Sequence, residues 1–479
     1  MHDEFSYLLA ADTFAHGRLA NPVHPMGVFF ESPHILISPH YMSMYQPGLG
    51  ALLAIGQILF GHPYYGVMLG CMLLCALLAQ MLLAWTNRKW ALIGGACACL
   101  IFQPGMDWAT SYMGGEIAAI AAAISLTALG HVARHRAPWG LPHFALAASL
   151  LLMSRPFEGS FFLLAVLASA FWLGWGRMPL APILRANLPI IAITVAFQLY
   201  FNFRGTGSPW VVPFLLHDQL YNSFRIFWFL PLHPLHEYSH PRLYAQHGPN
   251  GFEVGMWRSW QGLPAISLVY RLIKNVFKSG LESWLSVPLG IVLLGVGIPA
   301  AFWSRKSRIL IFVALGAVFP LFLIAFHTPQ YASLLIVTLF LIAILGLRRL
   351  FLFHVGAFAA GKPAAILLVG ALCINSAVAI SNFHETLSDP LAPPTRSALI
   401  EKLQSQPGNH LIIVRYPMFE TWNVFTEWVY NTADPDSSRI VFAHDLGPTR
   451  QPALIQYYKD RHMWLLEFAT DGFYTLSPL

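Results

Sequence analysis

The sequence predicts a mostly α-helical, polytopic membrane protein that ends in a small α/β unit. Hydrophobic residues make up 56% of the 479 positions and charged residues only 10%, and the mean hydropathy is +0.56. Ten apolar runs follow one another from residue 64, and after residue 382 the runs become short and charge returns. The formal net charge of +6 lies mostly in short clusters between apolar runs. This pattern is typical of membrane loops and gives no support to nucleic-acid binding.

The ten apolar runs are predicted to cross the membrane, because a spanning helix needs about 20 mainly apolar residues. They lie near residues 64–86, 90–105, 112–131, 142–154, 158–176, 187–203, 284–303, 309–327, 331–350 and 363–381.

Basic residues fall on every second loop between these runs, which sets the predicted orientation. The basic loops are 86–89, 131–136, 177–185, 304–308 and 348–362. Since cytoplasmic loops carry the excess of Lys and Arg, three other regions should lie outside the cytoplasm. These are the first loop (1–62), the long loop (204–283) and the tail (382–479). The predicted domains are therefore a transmembrane domain at 1–381 and an α/β domain at 382–479.

Two further segments have a predicted structure. Residues 46–61 are apolar but too short for a span, so we expect a helix that lies at the membrane interface. In the tail, strand-like runs at 410–416, 439–443 and 462–466 alternate with helix-like stretches at 397–406 and 452–461. That alternation indicates a partly parallel sheet, and no glycine-rich phosphate loop accompanies it.

Scarce carboxylates near the outer face are the first candidate functional residues. Asp3 and Glu4 open the chain, and a carboxylate beside a low-dielectric boundary can act as a general base. Glu116 stands at the outer start of an apolar run, which is an expensive place for a charge. The simpler interpretation of each is an acid in the first turn of a helix, favoured by the helix dipole.

Arg155 and Glu158 lie in a short turn between two apolar runs. A guanidinium there suits a lipid-linked phosphate, which it can grip with two parallel hydrogen bonds. An interfacial arginine that extends from a helix end towards water is an equally good interpretation.

Histidines and cysteines give weaker evidence of a functional site. The long loop contains His217, His233, His236, His240 and His247, but prolines interrupt the segment, so solvated histidines are favoured over a zinc site. The five cysteines all lie inside apolar runs, where packing is the expected role.

The residues that open the chain resemble a known signature. Asp3, Glu4 and Tyr7 match the Asp-Glu-x-x-Tyr pattern of the GT-C glycosyltransferases, in particular the branch of protein O-mannosyltransferases and lipid A aminoarabinose transferases. Three further short segments are similar to that branch: Tyr45-Gln46-Pro47, Leu59-Phe60-Gly61 and Ser154-Arg155-Pro156.

The resemblance implies a GT-C fold and transfer of a sugar, with inversion, from a polyprenyl-phosphate donor to a protein, lipid or glycan acceptor. It further implies a bacterial cytoplasmic (inner) membrane location among lipids, with the site facing the periplasm. No metal ligand set is evident, although some members of the branch use a divalent cation. The implied roles are Asp3 as base, Glu4 in positioning, Arg155 at the donor phosphate, and Tyr7, Glu116 and Glu158 in substrate binding.

The chain departs from the branch at two places. Gln46 stands where relatives often have a lysine that contacts phosphate, and no apolar span precedes Asp3. We expect the natural protein to have a further helix before Met1.

Two other classes of function stay open at this point: a transporter or flippase of lipid-linked sugars, and a non-catalytic subunit of an envelope assembly.

Overall fold

The computed structural model describes residues 2–102, 107–134, 141–174, 180–234, 236–277, 287–303, 305–387, 395–417, 427–469 and 472–479. Parts of the predicted basic loops at 131–136, 177–185 and 304–308 lie outside these residues. So do one end of each of the predicted spans 90–105, 158–176 and 284–303.

The first half of the described chain is mainly helical. Its elements are α1 (His2–Ala15), a 3-10 turn (Gly27–Phe30), β1 (Ile35–Leu36), β2 (Met42–Ser43), α2 (Pro47–Phe60), α3 (Tyr64–Trp85), α4 (Arg88–Ile101), α5 (Asp107–Thr110), α6 (Glu116–Ala133), α7 (Leu141–Leu152), α8 (Pro156–Trp172) and α9 (Leu180–Thr206).

The second half adds the long loop, more apolar helices and the tail. Its elements are α10 (Pro213–Tyr221), α11 (Pro241–His247), α12 (Phe252–Arg258), α13 (Ala265–Phe277), α14 (Val287–Val292), a π-helical segment (Leu293–Gly297), α15 (Ile298–Trp303), α16 (Arg305–Val318), two 3-10 turns (Phe319–Phe322 and Pro329–Ala332), α17 (Ser333–Phe351), α18 (Gly361–Leu387), α19 (Arg396–Gln404), β3 (His410–Arg415), β4 (Ile440–His444), α20 (Gln451–Tyr457), β5 (His462–Phe468) and β6 (Tyr474–Pro478).

The chain divides into two compact units. Unit 1 comprises residues 1–63, 198–261 and 389–479, and unit 2 comprises residues 64–197 and 262–388. Unit 1 thus gathers nearly all of the segments predicted to lie outside the cytoplasm, and unit 2 nearly all of the predicted spans. The sequence-based division at residue 382 stays a prediction.

Unit 2 is built around α6, which packs against α3, α7, α8 and α17. Alanine occupies many positions of α6, and small side chains let neighbouring apolar helices approach closely. As a result 94% of the residues of α6 are buried, against 17% in an 18-residue apolar stretch of α18. Helix α6 is therefore the core of the unit, whereas α18 presents its apolar side chains outward as a lipid-facing helix does.

Five helices of the described chain are long and apolar enough to cross a membrane: α3, α6, α9, α17 and α18. The mostly helical character predicted from the sequence is confirmed, and these five helices are candidate spans by their length and composition. Shorter helices occupy the other five predicted runs, so the count of ten spans stays a prediction.

In unit 1, α1 packs directly against α2. The contact requires Gly50, because a Cβ atom there would come within 2.6 Å of the Cβ of Ala10. The segment between the two helices folds into an antiparallel β1–β2 pair. Residues 46–61 do form a helix, and its predicted position at the membrane interface stays a prediction.

The tail forms a four-stranded sheet in the order β4-β3-β5-β6. Strand β3 pairs in parallel with β4 and β5, and β5 pairs antiparallel with β6. The partly parallel sheet is thus confirmed. Strand β6 was not predicted, because its sequence is largely polar and exposed and carries no apolar run.

Both faces of this sheet are covered, as parallel strands require. Alternate side chains of β3 point to opposite faces. Ile412 and Val414 pack with Leu399 and Leu403 of α19. Leu411 and Ile413 pack with α20 and, from the first loop, with Phe29 and Phe30. A segment near the start of the chain therefore completes the core of a sheet near its end.

Candidate functional site

Asp3 lies in the first turn of α1, where an acidic residue is stabilised by the helix dipole. The phenol of Tyr45 donates a hydrogen bond to Oδ1 of Asp3. Nε2 of His34 lies 3.5 Å from the same oxygen, and Nδ1 of His2 lies 3.2 Å from Oδ2. The side chain of Asp3 is 19% exposed. The carboxylate therefore has three polar neighbours and limited access to solvent.

These neighbours keep Asp3 ionised. Burial by itself would raise the pKa of the carboxyl, but His34, His2 and the hydrogen bond from Tyr45 together outweigh it and hold the pKa well below its usual range. The pKa of His34 is also lowered, but for an imidazole a lower pKa favours the neutral form. Burial lowers the pKa of His34 to about 4, even though Asp3 works against the shift. At neutral pH the pair is an anionic carboxylate beside a neutral imidazole.

The β1–β2 pair positions His34 and Tyr45. His34 has a φ of 67°, and its carbonyl accepts a hydrogen bond of 2.6 Å from the Ser6 hydroxyl on α1. The ring of Tyr45 stacks on that of Tyr7, with centroids 4.3 Å apart. Tyr7, predicted to bind substrate, thus contacts the tyrosine that holds Asp3. Glu4 lies on the same turn of α1 and is partly exposed.

His34 also belongs to a buried group of histidines. Its ring centroid lies 5.9 Å from that of His217 on α10 and 6.0 Å from that of His247 at the end of α11. The last two centroids are 5.7 Å apart. Nδ1 of His247 lies 2.8 Å from Oε2 of Glu253. Burial lowers the pKa of His217 well below its ordinary value, and the neighbouring histidines add to the effect.

The expectation of solvated histidines in the long loop is wrong for His217, His240 and His247, which are 0%, 4% and 0% exposed. The reason is that the loop packs against the first loop and the tail within unit 1. His233 and His236 are half-buried, in line with the prolines around them.

A second buried network ties the first loop and the long loop to the tail. His240 stacks on His444, with ring centroids 3.8 Å apart, and its Nε2 lies 2.9 Å from the carbonyl oxygen of Glu31. Glu427 accepts hydrogen bonds from the Tyr416 hydroxyl and from two backbone amides. Nε of Arg242 lies 3.8 Å from its other oxygen. These contacts hold the three segments together within unit 1.

Arg155, Glu158 and Glu116 belong to unit 2. Arg155 is the N-cap residue of α8, with Nη1 3.9 Å from Oε1 of Glu158 and its guanidinium 4.5 Å above the ring of Tyr331. Glu116, 1% exposed, begins α6.

Gly115, directly before Glu116, has a φ of 140°, and a Cβ there would lie 2.6 Å from Trp108. The turn that places Glu116 therefore requires glycine.

Among the described residues, one group has the spacing of a cation site by itself. Ligand atoms of His2, Asp3 and His34 all lie within 4.8 Å of one another. The residues present therefore fit a bound metal, and their two nitrogens and one carboxylate suit a transition-metal ion.

Sequence reasoning missed His2 and His34 beside Asp3, and it missed the two histidines that pack against His34. His2 had a usable signal, because it directly precedes the carboxylate. His34, His217 and His247 had none, since they lie far apart in the sequence and only the packing of unit 1 brings them together.

No protein-family model and no curated protein match this chain. Solved structures do. Two structures of ArnT from Cupriavidus metallidurans, one apo and one bound to undecaprenyl phosphate, align over 98% of this chain and 88% and 89% of theirs. Their identities are 12% and 13%, with TM-scores of 0.47 and 0.46.

An oligosaccharyltransferase from Archaeoglobus fulgidus, tethered to an acceptor peptide, aligns over 86% of this chain at 12% identity and a TM-score of 0.46. The alignment spans 57% of that enzyme's own length. At these identities the likeness concerns the fold alone.

Proposed function

We propose that this protein transfers a sugar from a polyprenyl-phosphate donor to a hydroxyl of a protein, lipid or glycan acceptor outside the cytoplasm, with inversion at the anomeric carbon. The observation that carries the proposal is the Asp3 carboxylate, kept ionised by Tyr45, His2 and His34 in the Asp-Glu-x-x-Tyr segment. The acidic position and its tyrosine are the residues through which the chain resembles the GT-C enzymes.

In this reaction the acceptor attacks the anomeric carbon while the bond from that carbon to the phosphate oxygen breaks. The electron pair of the broken bond leaves with polyprenyl phosphate. The proton of the acceptor goes to Asp3. A carboxylate of low pKa is a weak base, so proton transfer follows bond formation, when the acceptor has become strongly acidic.

The leaving phosphate requires positive charge, and the resemblance assigns that role to Arg155. Tyr45 keeps the Asp3 carboxylate oriented and ionised before the proton arrives. A metal at the Asp3 group would supply further positive charge for binding an anionic donor.

The test is to incubate purified protein with a panel of polyprenyl-phosphate sugars and measure released polyprenyl phosphate. Release by the wild type and its absence in Asp3→Asn support the proposal. Equal release by Asp3→Asn would refute the role of Asp3. Movement of intact donor across proteoliposomes, with no release by any donor, would favour the transporter alternative instead.

A further inference from the structure

A cavity of about 390 Å³ lies between the ends of five helices of unit 2. Its wall comes from the ends of α3, α6 and α17, from α15, and from the start of α16. These segments adjoin the basic loops at 86–89, 131–136, 304–308 and 348–362, which the sequence predicts to face the cytoplasm. The volume falls in the range of about 300–1,000 Å³ that is usual for small-ligand sites. The proposed sugar transfer uses none of the residues in this wall.

The charge of the cavity is positive. Arg134, Arg348 and Arg349 line it, and among the described residues of its wall none is an aspartate or a glutamate. Arg134 donates two hydrogen bonds to carbonyl oxygens at and just beyond the end of α3. Arg349 donates one of 3.1 Å to the carbonyl oxygen of Ala300. Three guanidinium groups at one cavity, without a carboxylate in the wall to neutralise them, favour an anionic ligand.

Contacts with helix ends account for only part of this arrangement. A cation near the C-terminal end of a helix is favourable by itself, and Arg134 and Arg349 both bond to carbonyl oxygens at such ends. Arg348 differs, because its Nε is buried and has no hydrogen-bond partner within the described part of the chain. A donor of a charged group is costly to bury unpaired. This side chain of the cavity wall therefore has an N–H group that a ligand could bind.

The apolar part of the wall continues onto an exposed apolar surface. Leu310 and Ile342 are 0% and 1% exposed, whereas Leu352 of the same wall is 54% exposed. Phe353, the next residue in the chain, is 55% exposed. Trp85 also lines the cavity, and tryptophan is enriched where a membrane meets water. A soluble anion would leave this surface uncovered, but the hydrocarbon chains of a lipid would cover it.

We propose that the cavity binds the headgroup of one anionic phospholipid, with the phosphate at the three arginines and the acyl chains over Leu352 and Phe353. Guanidinium groups bind phosphate oxygens with paired hydrogen bonds. Basic pockets between membrane helices at the cytoplasmic side suit anionic lipid headgroups. A lipid bound there bridges α6 and α17, whose packing forms the core of unit 2.

The test is lipid binding to the delipidated full chain in a neutral detergent, measured by native mass spectrometry at increasing lipid concentration. Phosphatidylglycerol is the anionic probe. Phosphatidylcholine, which has a phosphate but no net charge, is the comparison. We expect one phosphatidylglycerol to bind the wild type at least about tenfold more tightly than phosphatidylcholine does. Equal binding of the two lipids would overturn the proposal.

Two charge-matched double variants test the arginines. Arg348→Gln with Arg349→Gln should weaken binding of phosphatidylglycerol about 10- to 30-fold, the loss expected for two basic residues beside an anionic lipid. Arg88→Gln with Lys89→Gln removes two exposed cations of a neighbouring basic loop that do not line the cavity, and it should bind as the wild type does. Equal losses in the two double variants would indicate attraction to net charge alone and would overturn the proposal.

Ala300→Phe tests the space rather than the charge, because the larger side chain occupies the cavity and leaves every arginine in place. This variant should lose the preference for phosphatidylglycerol over phosphatidylcholine. A folded variant that keeps the preference would overturn the proposal. Size-exclusion profiles identify variants that fail to fold.

Two measurements need no variant. Phosphatidylglycerol with a photoreactive acyl chain should cross-link preferentially to residues 345–353, and cross-links confined to other segments would overturn the proposal. Inorganic phosphate should not displace the lipid, since displacement would assign the cavity to a soluble anion instead. Because lipid binding is measured without a sugar donor or turnover, failure of this site and failure of the proposed transferase activity remain distinguishable.

Discussion

Tyr45 stands between Tyr7 and Asp3: its ring stacks on Tyr7, and its hydroxyl donates a hydrogen bond to the Asp3 carboxylate. The tyrosine of the Asp-Glu-x-x-Tyr segment thus acts on the acid through a second tyrosine. Because Tyr45 lies two residues before the start of α2, the packing of α1 on α2 helps to determine the position of the proposed base.

Asp3→Asn is expected to abolish sugar transfer, because an amide cannot accept the acceptor proton. General-base groups typically contribute 10²–10⁴-fold, so the residual rate should be at most about 1% of the wild-type rate. The measurement is release of polyprenyl phosphate by purified protein at equal concentrations. Expression and membrane insertion of the variant serve as the control, and full activity in a folded variant would remove Asp3 from the mechanism.

Tyr45→Phe should reduce the rate about 10- to 100-fold, since a hydrogen bond to a charged group contributes about 1.5–3 kcal/mol. The phenylalanine retains the stack on Tyr7, which confines the change to the hydroxyl. Steady-state kinetics with saturating donor provide the measurement. Tyr200→Phe removes the hydroxyl of a tyrosine that is 51% exposed and should behave as the wild type. Equal rates in the two variants would contradict the proposed role of Tyr45.

Arg155→Ala should raise KM for the lipid-linked donor at least tenfold and change KM for the acceptor little, because a guanidinium binds phosphate rather than a hydroxyl. Arg204→Ala, which removes an arginine paired with an exposed tyrosine, is the matched control. If Arg155 serves only to pack on Tyr331, its removal will lower thermal stability and leave both KM values unchanged.

Asp12→Ala should destabilise unit 1 by about 1–3 kcal/mol, the cost of leaving a buried donor unsatisfied. Oδ2 of Asp12 accepts a 2.7 Å hydrogen bond from the backbone amide of Ala433, and Oδ1 accepts one of 2.9 Å from Gln57. Denaturant unfolding in detergent measures the change. Asp434→Ala, at an exposed position, should change stability far less. A similar loss of stability in both variants would argue against a stabilising role for the hydrogen bonds of Asp12.

Asp436 should stabilise the protein in a pH-dependent way. Burial tends to raise its pKa, but hydrogen bonds from Tyr458, Tyr457 and His24 outweigh it and lower the pKa. Because the pKa of Asp436 is lower in the folded state than in the unfolded state, ionised Asp436 stabilises the fold. This stabilisation is complete above the unfolded-state pKa of about 3.9 and is lost as the pH falls below that pKa.

Asp436→Asn should therefore lower the thermal midpoint at pH 7, and its difference from the wild type should shrink towards pH 3. Thermal unfolding of the solubilised protein at pH 7, 5 and 3 provides the measurement. A difference that grows on acidification would have the wrong sign.

The sequence predicted the helices of unit 2 well, because long apolar runs have few alternatives to a buried or lipid-facing helix. Spans predicted at 64–86 and 331–350 correspond to α3 and α17. Three strands of the tail were equally clear from their apolar runs. Strand β6 was not, since edge pairing with β5 rather than apolar sequence makes it a strand.

The candidate site was less predictable. Asp3 was identified by its scarcity and its motif, but the polar groups around it come from separate segments. His34 lies in a left-handed turn, and His217 and His247 lie in short helices of a proline-rich loop. Histidines in such a loop look solvated from their local sequence. Only long-range packing buries them, and no pattern of neighbouring residues records it.

The packing of Phe29 and Phe30 beneath the tail sheet has a consequence for biosynthesis. These phenylalanines are translated early, whereas the strands that cover them emerge only after nearly the whole polypeptide has been made. During most of translation the nascent chain therefore exposes the side chains of Phe29 and Phe30. Any product that ends before residue 410 would leave the side chains of Phe29 and Phe30 exposed. Quality-control proteases could recognise such a product as incomplete by these exposed aromatic side chains.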